Sequence, residues 1–204
     1  MSHVVAICGM MGSGKSTLLD LLSSQLGDCI VLEEDAYNPA PLKSIGEVKA
    51  WWDRGGQVDE FDLSALVSAL EAATAASDRV VFLETQFGRL HAALRPHIDL
   101  QVWIDVDADI AFARKVAQLT RQMLSNPESA SAADSLAWLA EFCDSYVQTT
   151  RQLFARQRTQ VGQQSDERLN GNGTPQKVCE RLQALLAPLL PSPNSSTMAQ
   201  EIVQ

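Results

Sequence analysis

Basic residues are scarce in this 204-residue chain. Lysine and arginine together number 16, against 25 aspartate and glutamate residues, and the formal net charge is −9 at pH 7. A protein that binds phosphate backbones or anionic membranes needs an excess of positive charge on its surface. Neither a nucleic acid nor a membrane is therefore expected as a partner.

Cysteine and long apolar runs are scarce as well. The four cysteines form no C-x-x-C pair, and several lie within apolar runs, where a small buried thiol is the usual occupant. No stretch approaches 18 consecutive apolar residues, and the N-terminus lacks a basic segment followed by a long apolar one. These features predict a soluble protein in a reducing cytoplasm.

The overall composition of the chain is that of a globular domain. Apolar residues make up 46% and charged residues 20% of the chain, which excludes a wholly disordered protein. The length predicts one domain, which we place at residues 1–187. Residues 188–204 read PLLPSPNSSTMAQEIVQ, a change to proline, serine and polar residues that predicts a disordered tail.

Short β-rich runs alternate with longer runs of helical periodicity. Strands are predicted at residues 3–8, 29–33, 80–84 and 100–105, and helices at 15–26, 45–54, 62–76, 108–124, 135–158 and 175–186. The strands are apolar at consecutive positions, which indicates burial of both sheet faces. The pattern predicts an α/β fold in which a parallel sheet carries helices on both faces.

A phosphate-binding motif follows the first strand. Residues 9–16, GMMGSGKS, match G-x-x-x-x-G-K-[ST] at every fixed position and stand between a buried strand and an amphipathic helix. In such a loop, backbone N–H groups surround the phosphates, the lysine reaches the β- and γ-phosphates, and the serine hydroxyl is offered to Mg²⁺. The predicted nucleotide-binding residues are Gly9, Met10, Met11, Gly12, Ser13, Gly14, Lys15, Ser16 and Thr17.

Acidic residues close the second and third strands. Glu33, Glu34 and Asp35 follow VL at the end of strand two, and Glu84 follows the apolar run VVFL of strand three. In open α/β sheets, ligands bind at the carboxyl edge of the strands. A carboxylate there can take the proton of a substrate hydroxyl or hold Mg²⁺, so phosphoryl transfer assisted by Mg²⁺ is predicted.

The motifs, in their order along the chain, resemble the uridine kinase and phosphoribulokinase family of P-loop kinases. The resemblance rests on HVVAICGMMGSGKST, VLEEDAY, VDEFD, VVFLET and WIDVDADIAFARKV, and on the later LNGNGTPQKVCERL. It implies a three-layer fold like that of the nucleoside monophosphate kinases, with a five-stranded parallel sheet and a lid at about residues 114–134. It also implies ATP and Mg²⁺ as cofactors and is compatible with a homo-oligomer.

The resemblance assigns roles to individual residues. Asp35 corresponds to the catalytic base, Glu84 to the glutamate near Mg²⁺, and Lys115 to a basic position that faces phosphate. The family usually has several lid arginines, and this chain leaves Arg114, Lys115 and Arg121 as the available cations. We expect Lys15 and Arg121 to support catalysis, Arg114 and Lys115 to contact ATP, and Ser16, Glu84 and Asp35 to hold Mg²⁺.

The nature of the acceptor follows from charge. Residues 28–71 contain ten acids and three bases, a local charge of −7 that favours an uncharged or cationic acceptor over a phosphate-bearing one. A nucleoside is the expected acceptor. The expected substrate contacts are Glu34, Tyr37, Trp52 and Arg89.

Three alternatives stay open at this point. LEE followed by NP also resembles bacterial deoxynucleoside kinases, in which Glu33 or Glu34 would take the place of Asp35 as base. Gly56 stands where uridine kinases keep an aspartate for the sugar, so a kinase for a specialised metabolite is a second alternative. The third is a regulatory protein that binds a nucleotide and has no small-molecule acceptor.

Overall fold

The computed structural model describes residues 2–37, 44–126 and 130–189. The predicted tail falls almost entirely outside these residues, and the tip of the predicted lid falls partly outside them. The strands are β1 (Val4–Cys8), β2 (Cys29–Glu33), β3 (Val80–Thr85), β4 (Leu100–Asp105) and β5 (Glu167–Asn170). The helices are α1 (Lys15–Leu26), α2 (Glu34–Tyr37), α3 (Ile45–Asp53), α4 (Ser64–Ala76), α5 (Ala108–Ser125), α6 (Ala132–Ser145), α7 (Arg151–Gln157) and α8 (Pro175–Leu186).

All five strands are parallel and lie in the order β2-β3-β1-β4-β5. Every residue of β1 is buried, with exposures of 2% or less. Because successive side chains of a strand point to opposite faces, this burial requires helices on both faces of the sheet. The prediction of a parallel sheet with helices on both faces is confirmed.

The register of the sheet aligns the strand ends that carry acids. Glu33 of β2 lies opposite Glu84 of β3, and Glu84 lies opposite Ile7 of β1, two residues before the phosphate-binding loop. In this arrangement the loop, the acids after β2 and the acid in β3 share one edge of the sheet. The site predicted from the sequence is therefore assembled by strand pairing.

The predicted helix at 135–158 differs from the structure. It is divided into α6 and α7 by a π-turn at Tyr146–Thr150, and a second π-turn at Arg158–Gly162 follows α7. A Cβ atom on Gly162 would lie 3.0 Å from Nε1 of Trp103 in β4, so this glycine lets the second turn pack closely on the sheet. π-turns inside helices are often found at functional sites.

α5 and α6 pack against each other through aromatic rings. The centroids of Phe112 and Tyr146 lie 4.0 Å apart, and those of Phe112 and Phe142 lie 5.9 Å apart. The region predicted as a lid, residues 114–134, contains most of α5 and the start of α6. Within the described residues, no helix is both long enough and apolar enough to cross a bilayer.

Candidate active site

The phosphate-binding loop connects β1 to α1 and owes its shape to two glycines with positive φ. Gly12 has φ +79° and Gly14 has φ +95°, a region that side chains other than glycine rarely adopt. A Cβ atom on Gly12 would also lie 2.1 Å from the carbonyl oxygen of Ala111, so α5 begins directly against the loop. Met10 is buried in the core, and its carbonyl accepts a hydrogen bond from the Ser13 amide.

The lysine and serine of the motif meet the acid of β3. The Lys15 Nζ donates to the Gly9 carbonyl at 3.1 Å and lies 3.8 Å from Oε1 of Glu84. The Ser16 Oγ donates to the same Glu84 oxygen at 3.1 Å. Burial raises the pKa of Glu84, and the Lys15 ammonium opposes that shift. Lys15, Ser16 and Glu84 thus form one connected polar group.

This group can accommodate Mg²⁺. The second carboxylate oxygen of Glu84, Oε2, is buried and has no hydrogen-bond partner among the described residues. Mg²⁺ prefers hard oxygen ligands and is usually held by one or two carboxylates together with phosphate oxygens and waters. The Ser16 hydroxyl, the Glu84 carboxylate and the nearby Asp35 carboxylate supply such ligands, and no ready-made cage of three or more acidic, His or Cys ligands occurs in the described residues.

A cleft of about 680 Å³ lies above the loop. One wall consists of the loop, the start of α1, Asp35 and Glu84, and the other is the face of α5. The predicted site residues that line it are Met11, Gly12, Gly14, Lys15, Ser16, Thr17, Asp35, Glu84, Arg114, Lys115 and Arg121. The structure therefore brings most of the predicted residues together around one space.

The cations of α5 differ in what they contact. The Lys115 Nζ donates to Gln118 at 3.1 Å, and burial lowers the pKa of Lys115 while the Asp35 carboxylate opposes that shift. The Arg114 guanidinium donates to the carbonyls of Gly171 at 3.0 Å and Gly173 at 3.4 Å, so it also holds the loop between β5 and α8.

A smaller inner pocket of about 60 Å³ extends from the cleft toward the end of β2. Its charged lining consists of four carboxylates and a single cation: Glu33, Glu34, Asp35, Glu84 and Lys15. Glu34 is 7% exposed, receives a short hydrogen bond from the Thr85 hydroxyl, and has its pKa raised by burial. The pocket is strongly acidic.

Three predicted substrate contacts lie elsewhere. The Arg89 side chain runs toward the amino end of β4, where it bonds the carbonyls of Ile98 and Asp99 and pairs with Asp166 at 2.8 Å. That end of the sheet is opposite to the phosphate-binding loop, so Arg89 lies away from the cleft and the inner pocket in this structure.

Tyr37 and Trp52 line neither the cleft nor the inner pocket. Tyr37 packs against the main core, and Trp52 packs beside Trp51 with the Arg156 guanidinium 5.5 Å from its ring centroid. A role in ring stacking with the acceptor has no support in this arrangement.

Sequence reasoning missed Gln86, which lines both the cleft and the inner pocket. It also missed Thr85, the hydrogen-bond partner of Glu34. Both residues directly follow Glu84 at the end of β3, and that position at the carboxyl edge of a central strand was the available signal.

No protein-family model matches the chain. The shikimate kinase of Trichormus variabilis is 27% identical over 188 residues, which cover 90% of this chain and 91% of that protein. The uridine kinase of Deinococcus deserti is 25% identical over 150 residues, covering 62% of this chain and 72% of that protein. The crystal structure of shikimate kinase from Aquifex aeolicus has a TM-score of 0.50 at 16% identity, with coverage of 91% and 96% of the two chains.

These similarities agree with the fold and the site. The chain has the P-loop kinase fold and is a small-molecule kinase, a phosphotransferase that acts on a hydroxyl group. The alternative of a regulatory protein without an acceptor is set aside.

Proposed function

We propose that the protein transfers the γ-phosphate of Mg·ATP to a hydroxyl of an uncharged or cationic polyol, with a nucleoside as the leading candidate. The observation that carries the proposal is the shared cleft, in which Lys15, Ser16 and Glu84 face the cations of α5 beside the Asp35 carboxylate. Phosphoryl transfer needs phosphate-binding groups, Mg²⁺ ligands and a proton acceptor within one enclosed space.

Each wall of the cleft has its part in this reaction. The loop amides and Lys15 bind the phosphates, and Lys115 and Arg121 neutralise the negative charge that spreads over the transferred group. Asp35 lines both the cleft and the inner pocket, so it can accept the proton of an acceptor hydroxyl that enters between them. Ser16 and Glu84 would hold Mg²⁺, which would supply charge neutralisation at the phosphates.

The acceptor class follows from the inner pocket. Four carboxylates against one cation make the approach of an anionic acceptor costly, because like charges repel and an anion finds no arginine among the lining residues. An uncharged polyol has no such cost, and its hydroxyls can donate hydrogen bonds to the carboxylates. A nucleoside meets this requirement.

A second candidate acceptor is an anionic cyclic polyol such as shikimate. It is favoured by the similarity to the shikimate kinase of Trichormus variabilis, which extends over 90% of this chain. It is disfavoured by the acidic inner pocket. The two candidates differ in the charge of the acceptor and can be separated directly.

The deciding experiment is an ADP-release assay with Mg·ATP and single acceptors. The panel is uridine, 2′-deoxycytidine, ribose, pantothenate and shikimate, with a no-acceptor reaction as control. We expect the largest stimulation from an uncharged compound. Stimulation by shikimate alone would overturn the proposed acceptor class, and ADP release that no compound stimulates would overturn the proposed function.

A further inference from the structure

Three buried side-chain oxygens have no hydrogen-bond partner among the described residues: Ser13 Oγ, Glu84 Oε2 and Gln157 Oε1. The first two lie in the phosphate-binding loop and in the candidate Mg²⁺ site, which the proposed function already uses. The third lies on α7, on a residue that is only 2% exposed and has no part in the proposed mechanism. An unpaired buried amide oxygen is costly, so its retention calls for a reason.

Gln157 connects α7 to the site through Gln86. The Gln157 Nε2 donates to Oε1 of Gln86 at 3.3 Å, and Gln86 lines both the cleft and the inner pocket. Gln157 is the last residue of α7, immediately before the π-turn at Arg158–Gly162. The buried Gln157 amide therefore contacts Gln86, which faces the cleft and the inner pocket.

The contact engages one end of the Gln86 amide. In this structure the Gln86 Oε1 accepts from Gln157, so its Nε2 is the end left to bond a ligand. The tip of the Gln86 side chain is thus held by Gln157.

We propose, as an extension of the function proposed above, that Gln86 is a specificity-determining residue that recognises the acceptor. Its Nε2 donates a hydrogen bond to a second hydroxyl oxygen of the acceptor, near the hydroxyl that faces Asp35. Gln157 is a positioning residue that holds the Gln86 amide in this orientation. The acceptor class is a neutral compound with at least two hydroxyls close together.

The surroundings of Gln86 support a hydroxyl as its partner. The inner pocket has less than a tenth of the volume of the cleft, so it admits the reacting end of an acceptor and leaves the remainder in the cleft. Among the described residues that line it, Gln86 is the only one with a side-chain amide, and the acids Glu33 and Asp35 share that lining. A hydroxyl can accept from the amide and donate to a carboxylate at once, which an ether or a carboxylate cannot do.

The test compares Gln86→Met and Gln157→Met with wild type in the ADP-release assay. Methionine keeps the length of the side chain and removes the amide, and Gln163→Met, at an exposed position after the π-turn, is the matched control. The probes are uridine and shikimate, each titrated at saturating Mg·ATP, and Mg·ATP is titrated separately.

For Gln86→Met we expect the KM of the stimulating probe to rise about 3- to 10-fold, the effect of one lost hydrogen bond, while the KM of ATP changes less than twofold. Gln157→Met should raise the same KM by a smaller factor. Gln163→Met should match wild type. A merely structural role for Gln157 would instead lower the melting temperature and alter both KM values together.

An acceptor KM that stays at the wild-type value in Gln86→Met, with wild-type ADP release stimulated by that probe, would overturn this inference and leave the proposed function standing. A wild-type enzyme that neither probe nor any other panel compound stimulates would overturn the proposed function, and the inference with it. The two failures are therefore distinguishable in one set of assays.

Discussion

At the scale of single residues, the identity of the catalytic base is the first question, because three carboxylates follow one another at the end of β2. Asp35 is exposed and lines both the cleft and the inner pocket, Glu33 lines only the inner pocket, and Glu34 is buried against Thr85. Of these three carboxylates only Asp35 therefore borders both spaces, which the base of the proposed reaction must do.

We expect Asp35→Asn to lower kcat by about 100- to 10,000-fold, the range for loss of a general base, and to change the KM of ATP little. Glu33→Gln is the matched control, since it removes a neighbouring exposed carboxylate, and it should retain most activity. The measurement is steady-state ADP release with the stimulating acceptor. Full turnover in Asp35→Asn together with inactivity in Glu33→Gln would transfer the role to Glu33.

Glu34 affects how the stability of the folded state depends on pH, because burial raises its pKa above the ordinary value of 4.5. The folded state then binds this proton more tightly than the unfolded state does. The stability that protonated Glu34 contributes is present below about pH 4.5 and is lost as the pH rises through the folded pKa. Glu84, whose pKa is also raised by burial, contributes with the same sign.

We expect Glu34→Gln to flatten the fall of the melting temperature between pH 4.5 and pH 8, because the variant has no carboxyl to ionise at that position. Part of the fall should remain, owing to Glu84. The measurement is thermal unfolding across this pH range for wild type, Glu34→Gln and the exposed control Glu33→Gln. Parallel curves for wild type and Glu34→Gln would show that Glu34 does not titrate in this range.

At the scale of elements, the contact between the phosphate-binding loop and α5 couples the nucleotide site to the helix that carries Lys115 and Arg121. Gly12 and Gly14 both have positive φ, and they differ in their surroundings. A Cβ on Gly12 would lie 2.1 Å from the Ala111 carbonyl, whereas a Cβ on Gly14 would meet nothing within 4 Å.

This difference provides a matched pair of variants. Both alanine substitutions strain the backbone, by about 1 kcal/mol or more, and only Gly12→Ala also forces the start of α5 away from the loop. We expect Gly12→Ala to weaken ATP binding at least about tenfold more than Gly14→Ala. Isothermal titration with a non-hydrolysable ATP analogue measures both, and equal losses would show that the contact with α5 is unimportant.

The secondary-structure elements also show which parts of the site could be predicted from the sequence and which could not. The loop at residues 9–16 and Glu84 were predictable because spacing along one strand and its following turn determines them. Arg89 was not, because its direction depends on Asp166, 77 residues later, and on carbonyls at the far end of β4. The second π-turn, at Arg158–Gly162, depends on the packing of Gly162 against Trp103, which periodicity does not reveal.

At the scale of the whole molecule, a role in nucleotide binding can be separated from a role in catalysis, because only binding changes the thermal stability of the protein. A ligand that binds only the folded state stabilises it in proportion to the logarithm of its concentration over its Kd, about 2.7 kcal/mol at 100 times the Kd. For a chain of this length, that corresponds to a rise in melting temperature of about 5–10 °C. The effect requires no acceptor.

We expect Mg·ATP to raise the melting temperature of wild type and of Asp35→Asn by similar amounts, because Asp35 acts on the acceptor and the phosphates are held by the loop. Lys15→Met should lose most of the rise, since its ammonium lies at the junction of the loop and Glu84. Lys49→Met, which removes an exposed lysine paired with Asp53, is the control. An undiminished rise in Lys15→Met would place the phosphates elsewhere than in this loop, whereas a rise lost equally in Asp35→Asn would make Asp35 chiefly a ligand of Mg²⁺.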